Sequence, residues 1–150
     1  MNLEVRIATN TDLDELIGLL NDLFTQDIEF EPNYEIQKAG LEKIVYNPEI
    51  GEILVLLLDN KVIGMVSLLY SISTALGGKV AILEDMIIHK DYRSKGFGKQ
   101  LLQEAINFSV KRDCLRITLL TDFNNDIAIN FYEGFGFKKS DMIPLRLITT

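Results

Sequence analysis

The chain has 150 residues, of which 47% are hydrophobic and 25% are charged, and its formal net charge is −7. These values suit one soluble domain over residues 1–150. The acidic balance argues against nucleic acid as a partner, because phosphate contacts need clustered Lys and Arg, and it favours a cationic ligand. The longest apolar run, 53–58, is too short for a membrane span, and the first residues do not resemble a signal peptide, so we expect a cytoplasmic location and no membrane contact.

Hydrophobic periodicity predicts the elements of the first half of the chain. A short strand is expected over 5–8, and then a helix that Thr11 or Asp12 can cap, with apolar residues at helical spacing as far as Phe24. A loop over 28–33 precedes the second predicted helix. The remaining predictions are a helix over 34–46 and strands over 53–58, 62–70 and 79–88. The first two of these strands form a hairpin about the turn-like residues 59–61.

The second half predicts alternating helices and strands. Helical apolar faces run over 98–109 and 128–135, and strands are expected over 115–120, 137–139 and 145–148. The front half is therefore antiparallel, while the central strand–helix–strand unit implies a parallel pair with a right-handed crossover. The order of elements predicts a mixed-sheet α/β fold.

The single cysteine, Cys114, excludes an internal disulfide, and we interpret it as a buried or half-buried structural thiol. A catalytic cysteine would need a histidine partner. The one histidine, His89, is interpreted as a surface loop residue. No cluster with metal-ligand spacing is visible, so no metal is expected.

A glycine-rich loop leads from the predicted strand over 79–88 into the next predicted helix. Its sequence over 93–99 is Arg-Ser-Lys-Gly-Phe-Gly-Lys. Free N–H groups and the positive dipole end at a helix start form an anion site, and glycine lets phosphate oxygens approach the backbone. A Walker A loop would need Gly at position 93 and Ser or Thr at 100, where this chain has Arg93 and Gln100. A Rossmann fingerprint would need a small residue in place of Leu101. Arg-x-x-Gly-x-Gly remains, with an incidental glycine-rich turn as the alternative.

Two further segments accompany this loop in matching order. Asn125-x-x-Ala128-x-x-Phe131-Tyr132-x-x-x-Gly136-Phe137 follows the next strand, and Arg6-Ile7-Ala8-Thr9 with Asp12-Leu13 opens the chain. Together the three segments resemble the GNAT family of N-acetyltransferases over essentially the whole chain. The resemblance implies a mixed, mostly antiparallel sheet with a splayed central parallel strand pair and helices on both faces. It also implies acetyl-CoA as cosubstrate. The strand around Glu84-Asp85 resembles that of the polyamine and small-amine acetyltransferases.

The resemblance implies where the cofactor binds. The main chain of Met86, Ile87 and Ile88 would hydrogen-bond the pantetheine arm, as an added strand would. Asn125 would contact the cofactor or serve as a helix N-cap. Arg93 would bind phosphate or tie the loop down. The backbone N–H groups implied for the pyrophosphate belong to Ser94, Lys95, Gly96, Phe97, Gly98 and Lys99.

The resemblance also implies the catalytic groups. Tyr132 would protonate the departing thiolate, because a phenol holds its proton at a pH where a thiol does not, although it could be only a core aromatic. Glu84 is the expected base, since it interrupts the apolar row Val80, Ile82, Met86 and Ile88 on one strand face; a salt bridge is the alternative. Asp85 is expected on the opposite face, unless a bulge intervenes.

The expected activity is direct transfer of the acetyl group to a primary amine. A peptide or protein N-terminal or lysine acetyltransferase and a catalytically silent acyl-CoA sensor are the alternatives. The acidic residues Asp27, Glu29 and Glu31, followed by Glu35, would attract a small cationic amine to the acceptor cleft, or would form only a solvated loop. Dimers are common in the family, so the resemblance leaves a homodimer open.

Overall fold

The structure is a computed structural model, and it describes residues 1–24 and 33–150. Two short 3₁₀ turns cover Asn10–Asp12 and Lys90–Tyr92. The strands are β1 Leu3–Ile7, β2 Gly51–Leu58, β3 Lys61–Ser73, β4 Gly78–Ile88 and β5 Ile117–Leu119. The helices are α1 Leu13–Phe24, α2 Tyr34–Val45, α3 Phe97–Lys111 and α4 Asp126–Glu133. The chain divides into two compact units, residues 1–120 and residues 121–150.

The first unit contains one five-stranded sheet in the order β1-β2-β3-β4-β5. Neighbouring strands from β1 to β4 are antiparallel, and β4 pairs with β5 in parallel. A parallel pair needs a crossover, and α3 supplies it between β4 and β5. The predicted mixed sheet with one parallel pair is confirmed.

Helices cover both faces of this sheet. Strand side chains alternate between the faces, and one set packs with α1 and α2 in a single buried cluster. Its members include Leu16, Leu20, Leu41, Ile53, Val55, Met65 and Ile87. On the opposite face, α3 approaches β3 so closely that a Cβ atom added at Gly64 would lie 3.4 Å from Leu101 Cδ2.

An ion pair joins the end of β1 to the 3₁₀ turn that precedes α1. Arg6 donates two hydrogen bonds to the Asp12 carboxylate, at 2.7 and 2.9 Å, and Asp12 is 5% exposed. The helical segment begins with Thr9 as its N-cap, and the Thr9 backbone N–H donates to Asp12 Oδ2 at 2.8 Å. Neither of the two predicted caps, Thr11 and Asp12, is the N-cap; Thr9 is, because Asp12 closes a capping box with it.

The second unit contains α4 and the residues that follow it. In residues 121–150 no strand forms, so the predicted strands over 137–139 and 145–148 are wrong. The apolar side chains that suggested the last strand are mostly exposed, from 77% at Ile148 to 89% at Leu145. An alternating pattern gives a strand only where a neighbouring strand pairs with its backbone.

Candidate active site

The glycine-rich loop between β4 and α3 has the backbone shape of an anion site. Ser94 and Gly96 both have positive φ, 61° and 86°, and Ser94, Lys95 and Gly96 are exposed. Gly96 is the N-cap of α3 and offers no side chain to the first N–H groups of the helix. These N–H groups and the helix dipole therefore remain available to an anionic group.

Contacts within the loop fix its position at the end of β4. Phe97, 8% exposed, anchors the start of α3, and the Tyr92 ring packs at 6.5 Å from the Phe97 ring. Arg93 Nε donates to the carbonyl oxygen of Ile88 at 2.9 Å, which ties the loop to the strand. Lys95 Nζ lies 5.8 Å from the Tyr92 ring centroid, so a cation stays beside the exposed loop backbone.

His89 begins the same loop and has a structural contact. Its Nδ1 accepts a hydrogen bond from the Asp91 backbone N–H at 3.1 Å, which caps the 3₁₀ turn. The His89 side chain is 28% exposed. His89 therefore lies in the loop as predicted, but its imidazole is partly buried and hydrogen-bonded and does not lie free on the surface.

The β5 side of β4 is unpaired close to the loop. In the part of the chain that the structure describes, β5 pairs only with Ala81, Ile82 and Leu83. The strand continues to Ile88, so the backbone of residues 86–88 has no strand partner on that side. A free strand edge can accept an extended polar chain through main-chain hydrogen bonds.

A β-bulge interrupts β4 immediately before this free edge. Ser67 is opposite Glu84, whereas Met65 is opposite Ile87, so Val66 alone faces the two residues Asp85 and Met86. Asp85 takes a positive φ of 51° to make the bulge. Beyond the bulge, each residue of β4 therefore points to the face opposite to the one that strict alternation from Glu84 would give.

The bulge corrects the predicted environment of Glu84. Ile88 does not continue the row of Glu84, because Ile88 Cδ1 lies beside Gly64 on the α3 side. Ile87 belongs to the buried cluster under α1 and α2. Glu84 itself is exposed, so it does not interrupt a buried apolar row as the sequence suggested.

Asp85 is the carboxyl group with the more unusual surroundings. The residue is half-buried at the bulge. Burial, and then the adjacent charge of Glu84, raises the pKa of Asp85 to about 6. A carboxyl group of this kind is ionised at neutral pH and accepts a proton more readily than an ordinary aspartate.

The two remaining predicted residues lie in the second unit, Tyr132 on α4 and Asn125 immediately before it. Tyr132 is half-buried, with its ring centroid 5.2 Å from that of Phe131 and 5.7 Å from that of Phe137, and burial raises the pKa of its phenol. Within its own unit, residues 121–150, the Tyr132 hydroxyl has no hydrogen-bond partner. Asn125 is the N-cap, since its Oδ1 accepts from Ala128 N at 3.1 Å.

Three predicted acceptor residues, Asp27, Glu29 and Glu31, lie outside the described residues. Glu35 is exposed in the first turn of α2. Two residues that the sequence pattern did not indicate, Gln37 and Ser67, lie on the side of the sheet that α1 and α2 cover. Both are buried without hydrogen-bond partners among the described residues. A single hydroxyl within the apolar strand segment 65–69 was the only signal for Ser67.

Two surface cavities, of about 400 and 240 Å³, lie between β1 and α3, and none of the predicted site residues lines them. Within the described ranges, His, Cys, Asp and Glu side chains do not gather in groups of three that could hold a metal ion. No helix among those residues is long and apolar enough to cross a membrane. The cytoplasmic location and the dimer stay predictions.

Comparison with known proteins identifies the family. The family model described as "Acetyltransferase (GNAT) family" matches residues 13–137, so the chain belongs to the GNAT family of acetyltransferases, enzymes that use acetyl-CoA as cosubstrate. An acetyltransferase from Yersinia pestis (strain Pestoides F) is 25% identical over 148 residues, covering 97% of this chain and 96% of the relative. The glucosamine 6-phosphate N-acetyltransferase of Trypanosoma brucei brucei is 24% identical over 140 residues, covering 92% and 90%.

Solved structures share the fold. A possible acetyltransferase from Clostridium difficile 630 has a TM-score of 0.90 at 20% identity, covering 100% of this chain and 99% of its own. Glucosamine-6-phosphate N-acetyltransferase from Arabidopsis thaliana has a TM-score of 0.76 at 18% identity, covering 99% and 100%. The names of these relatives do not support the predicted polyamine sub-family.

Proposed function

We propose that this acetyltransferase moves the acetyl group of acetyl-CoA directly to the nitrogen of a primary amine in a ternary complex. The amine nitrogen bonds to the thioester carbonyl carbon, the carbon–sulfur bond breaks, and the nitrogen loses a proton while the thiolate gains one. One observation carries this proposal. The free edge of β4, the carboxylates of Glu84 and Asp85 at the bulge, and the start of α3, which no side chain caps, lie together in one stretch of chain.

The residues of this stretch fit the cosubstrate. The unpaired backbone of Met86, Ile87 and Ile88 would receive the pantetheine arm, and acetyl-CoA supplies the activated acetyl thioester when bound. Arg93 would hold the loop in shape through its bond to Ile88, and Asn125 would contact the cofactor only through the part of its amide that does not cap α4. The N–H groups proposed for the pyrophosphate are those of Ser94, Lys95, Gly96, Phe97, Gly98 and Lys99.

We propose Asp85, in place of Glu84, as the base. An amine of pKa about 10.4 is protonated at neutral pH, and freeing it at pH 7.4 costs about 4 kcal/mol. A half-buried carboxylate of raised pKa draws this proton better than an ordinary one, and the bulge brings Asp85 to the strand position next to the free edge. Glu84, exposed beside it, would attract the cationic amine.

Tyr132 is the proposed acid. A phenol has a pKa of about 10 and a thiol of about 8.5, so a neutral tyrosine can give its proton to a developing thiolate. Burial raises the phenol pKa further, which keeps the proton in place until the sulfur leaves. The hydroxyl, which has no hydrogen-bond partner within residues 121–150, supports this role over a purely packing one.

For the acceptor we propose a small cationic amine. The acidic residues Asp27, Glu29 and Glu31 support a cationic molecule on charge grounds. Two relatives named for glucosamine 6-phosphate support an amino sugar, at identities too low to transfer a substrate. A peptide acceptor and a silent acyl-CoA sensor are the competing outcomes of the experiment.

A thiol-release assay with acetyl-CoA tests the function. The panel contains glucosamine, glucosamine 6-phosphate, spermidine and a peptide with a free N-terminus. We expect acceptor-dependent release of CoA with a small amine, and a kcat about 10²-fold lower in Tyr132→Phe, which keeps the ring but loses the proton. Faster turnover of the peptide would replace the small-amine proposal. Binding of acetyl-CoA with no acceptor-dependent release would favour the sensor.

A further inference from the structure

Unpaired buried polar atoms are concentrated on one side of the sheet. In the described part of the chain, the buried side-chain atoms without a hydrogen-bond partner are Asn21 Oδ1, Gln37 Oε1, Gln37 Nε2 and Ser67 Oγ. Asn21 is on α1 and Gln37 is on α2. Ser67 is on β3, in register with Ile53 of the cluster beneath those two helices. All three therefore lie on the side of the sheet that α1 and α2 cover, and Ser67 faces the layer between those helices and the sheet.

Buried polar side chains elsewhere in the first unit are satisfied. On the α3 side, Ser109 is 1% exposed and donates to the Ala105 carbonyl at 2.9 Å. Glu52, 6% exposed, accepts from Arg112 and Tyr70. Because buried polar groups are costly without partners, the unpaired set in one layer calls for a separate explanation.

Ser67 connects this layer to the proposed site. It is 1% exposed and stands between Ile53 on β2 and Glu84 on β4, on the same face. Ile53 is buried at 2% under the helices, whereas Glu84 is exposed. The Ser67 hydroxyl thus lies at the border between the covered core and the open carboxylate, one cross-strand step from Glu84.

Gln37 faces the same layer from the helix side. It is 7% exposed and lies one helical turn before Leu41, which packs in the buried cluster. Both its amide oxygen and its amide nitrogen are unpaired, so it lacks a donor and an acceptor at once. A ligand that satisfies it must offer both.

We infer that Ser67 and Gln37 bind the acceptor, and that this acceptor is a primary amine which also carries hydroxyl or amide groups. The inference deepens the proposed function and rests on it. A linear polyamine offers N–H donors and methylene groups, and when protonated it leaves the Gln37 amide nitrogen unsatisfied. A hydroxyl group donates and accepts, so a hydroxylated amine can satisfy both residues, and Asn21 Oδ1 can accept a further donor.

The test compares Ser67→Ala and Gln37→Leu with Ser109→Ala, a matched serine that is equally buried but already bonded. KM and kcat are measured for glucosamine, glucosamine 6-phosphate and spermidine, and the Tm of each free protein is recorded. We expect KM for the hydroxylated amines to rise about tenfold in each of the first two variants, with kcat and the acetyl-CoA-induced Tm shift nearly unchanged. Ser109→Ala should leave KM unchanged.

The Tm values give a readout that does not need turnover. Removing an unpaired buried hydroxyl should leave the Tm of Ser67→Ala no lower than that of the parent, whereas Ser109→Ala loses a bond and should melt lower. If Ser67→Ala melts as low as Ser109→Ala, the hydroxyl has a partner in the free protein, and the inference is overturned.

Failure of the inference and failure of the function are distinguishable. Unchanged KM values in Ser67→Ala and Gln37→Leu, with an active enzyme, would overturn the inference alone. An amine that binds by calorimetry without turnover, and loses affinity in these variants, would uphold the inference and reject the function. Preference for spermidine, or binding of none of the three amines, would overturn the acceptor class named here.

Discussion

At the scale of single residues, Asp85 shows how backbone shape sets chemistry. Its positive φ of 51° is a conformation that Asp and Asn tolerate better than most residues do. The same bulge half-buries the carboxyl beside Glu84 and raises its pKa to about 6. The folded pKa is thus higher than the unfolded one, so this group destabilises the folded state increasingly as the pH rises from 4 to about 6.

Asp85→Asn should separate these effects, because Asn keeps the left-handed conformation and removes the base. We expect kcat/KM to fall about 10²-fold. The decrease in rate below about pH 6, which protonation of the base causes in the parent, should disappear; this part of the profile is called the acid limb. Stability should rise by about 3 kcal/mol at most above pH 7, and should not change below pH 4. Rate–pH profiles and denaturant unfolding at both pH values measure this. Glu84→Gln is the control and should keep the acid limb; its disappearance there instead would make Glu84 the base.

At the scale of elements, the end of β4 and the start of α3 form the candidate cofactor site. β4 extends five residues beyond its last pairing with β5, at Leu83, and α3 begins at an N-cap without a side chain. Among the described residues, both features leave backbone polar groups at adjacent places, those of β4 without a strand partner and those of α3 without a side-chain cap. Such groups need another partner, and an extended pantetheine arm followed by a pyrophosphate matches their order.

Gly98→Val tests the start of α3. Gly98 is half-buried in the first turn, and a branched side chain there would keep an anion away from the backbone N–H groups. Acetyl-CoA at a hundredfold excess over its Kd should stabilise the parent by about 2.7 kcal/mol, seen as a raised Tm, and this shift should vanish in the variant. Gly40→Val makes the same change at an exposed helix site with open space and should keep the shift. An intact shift in Gly98→Val would move the pyrophosphate elsewhere.

At the scale of the first unit, a buried polar network links β2, β3 and the end of α3. Arg112 donates to both Glu52 oxygens, at 2.8 and 2.9 Å, and Tyr70 Oη donates to Glu52 Oε1 at 2.7 Å. The Arg112 hydrogen bonds are the largest influence that holds the pKa of Glu52 below its usual range. Because the folded pKa is depressed, this stabilisation is present at neutral pH and is lost as the pH falls through the folded value.

Arg112→Met keeps much of the side-chain volume and removes the partner of a buried carboxylate. We expect a loss of about 2 kcal/mol in the free energy of unfolding at pH 7, since Tyr70 still bonds Glu52, and a difference that shrinks below pH 4. Denaturant unfolding at pH 7 and pH 3.5 measures it. Lys111→Met, an exposed neighbour, should change stability by less than about 0.5 kcal/mol. Equal losses at both pH values would show that packing, and not the ion pair, accounts for the effect.

The sequence by itself determined the order of the elements from β1 to α4 and the position of the glycine-rich loop. Helical and alternating apolar patterns depend on local geometry, so α1, α2, α3 and the antiparallel strands were predicted close to their observed bounds. The motif from Arg93 to Gly98 predicted the strand–loop–helix unit. Its glycines allow a tight loop and a close approach of an anion to the helix start, and this property of glycine does not depend on the surroundings. The parallel pair followed from the crossover that α3 makes.

Only the tertiary structure decided what lies beside what. The bulge at Asp85 depends on pairing with β3, and one added residue reverses the facing of every later residue, so the sequence wrongly placed Ile88 on the face of Glu84. The segment 145–148 has a strand pattern but no neighbouring backbone to complete it. Whether a buried hydroxyl is satisfied is likewise a property of its neighbours: Ser67 and Ser109 are the same residue type at the same exposure, and only Ser109 has a partner.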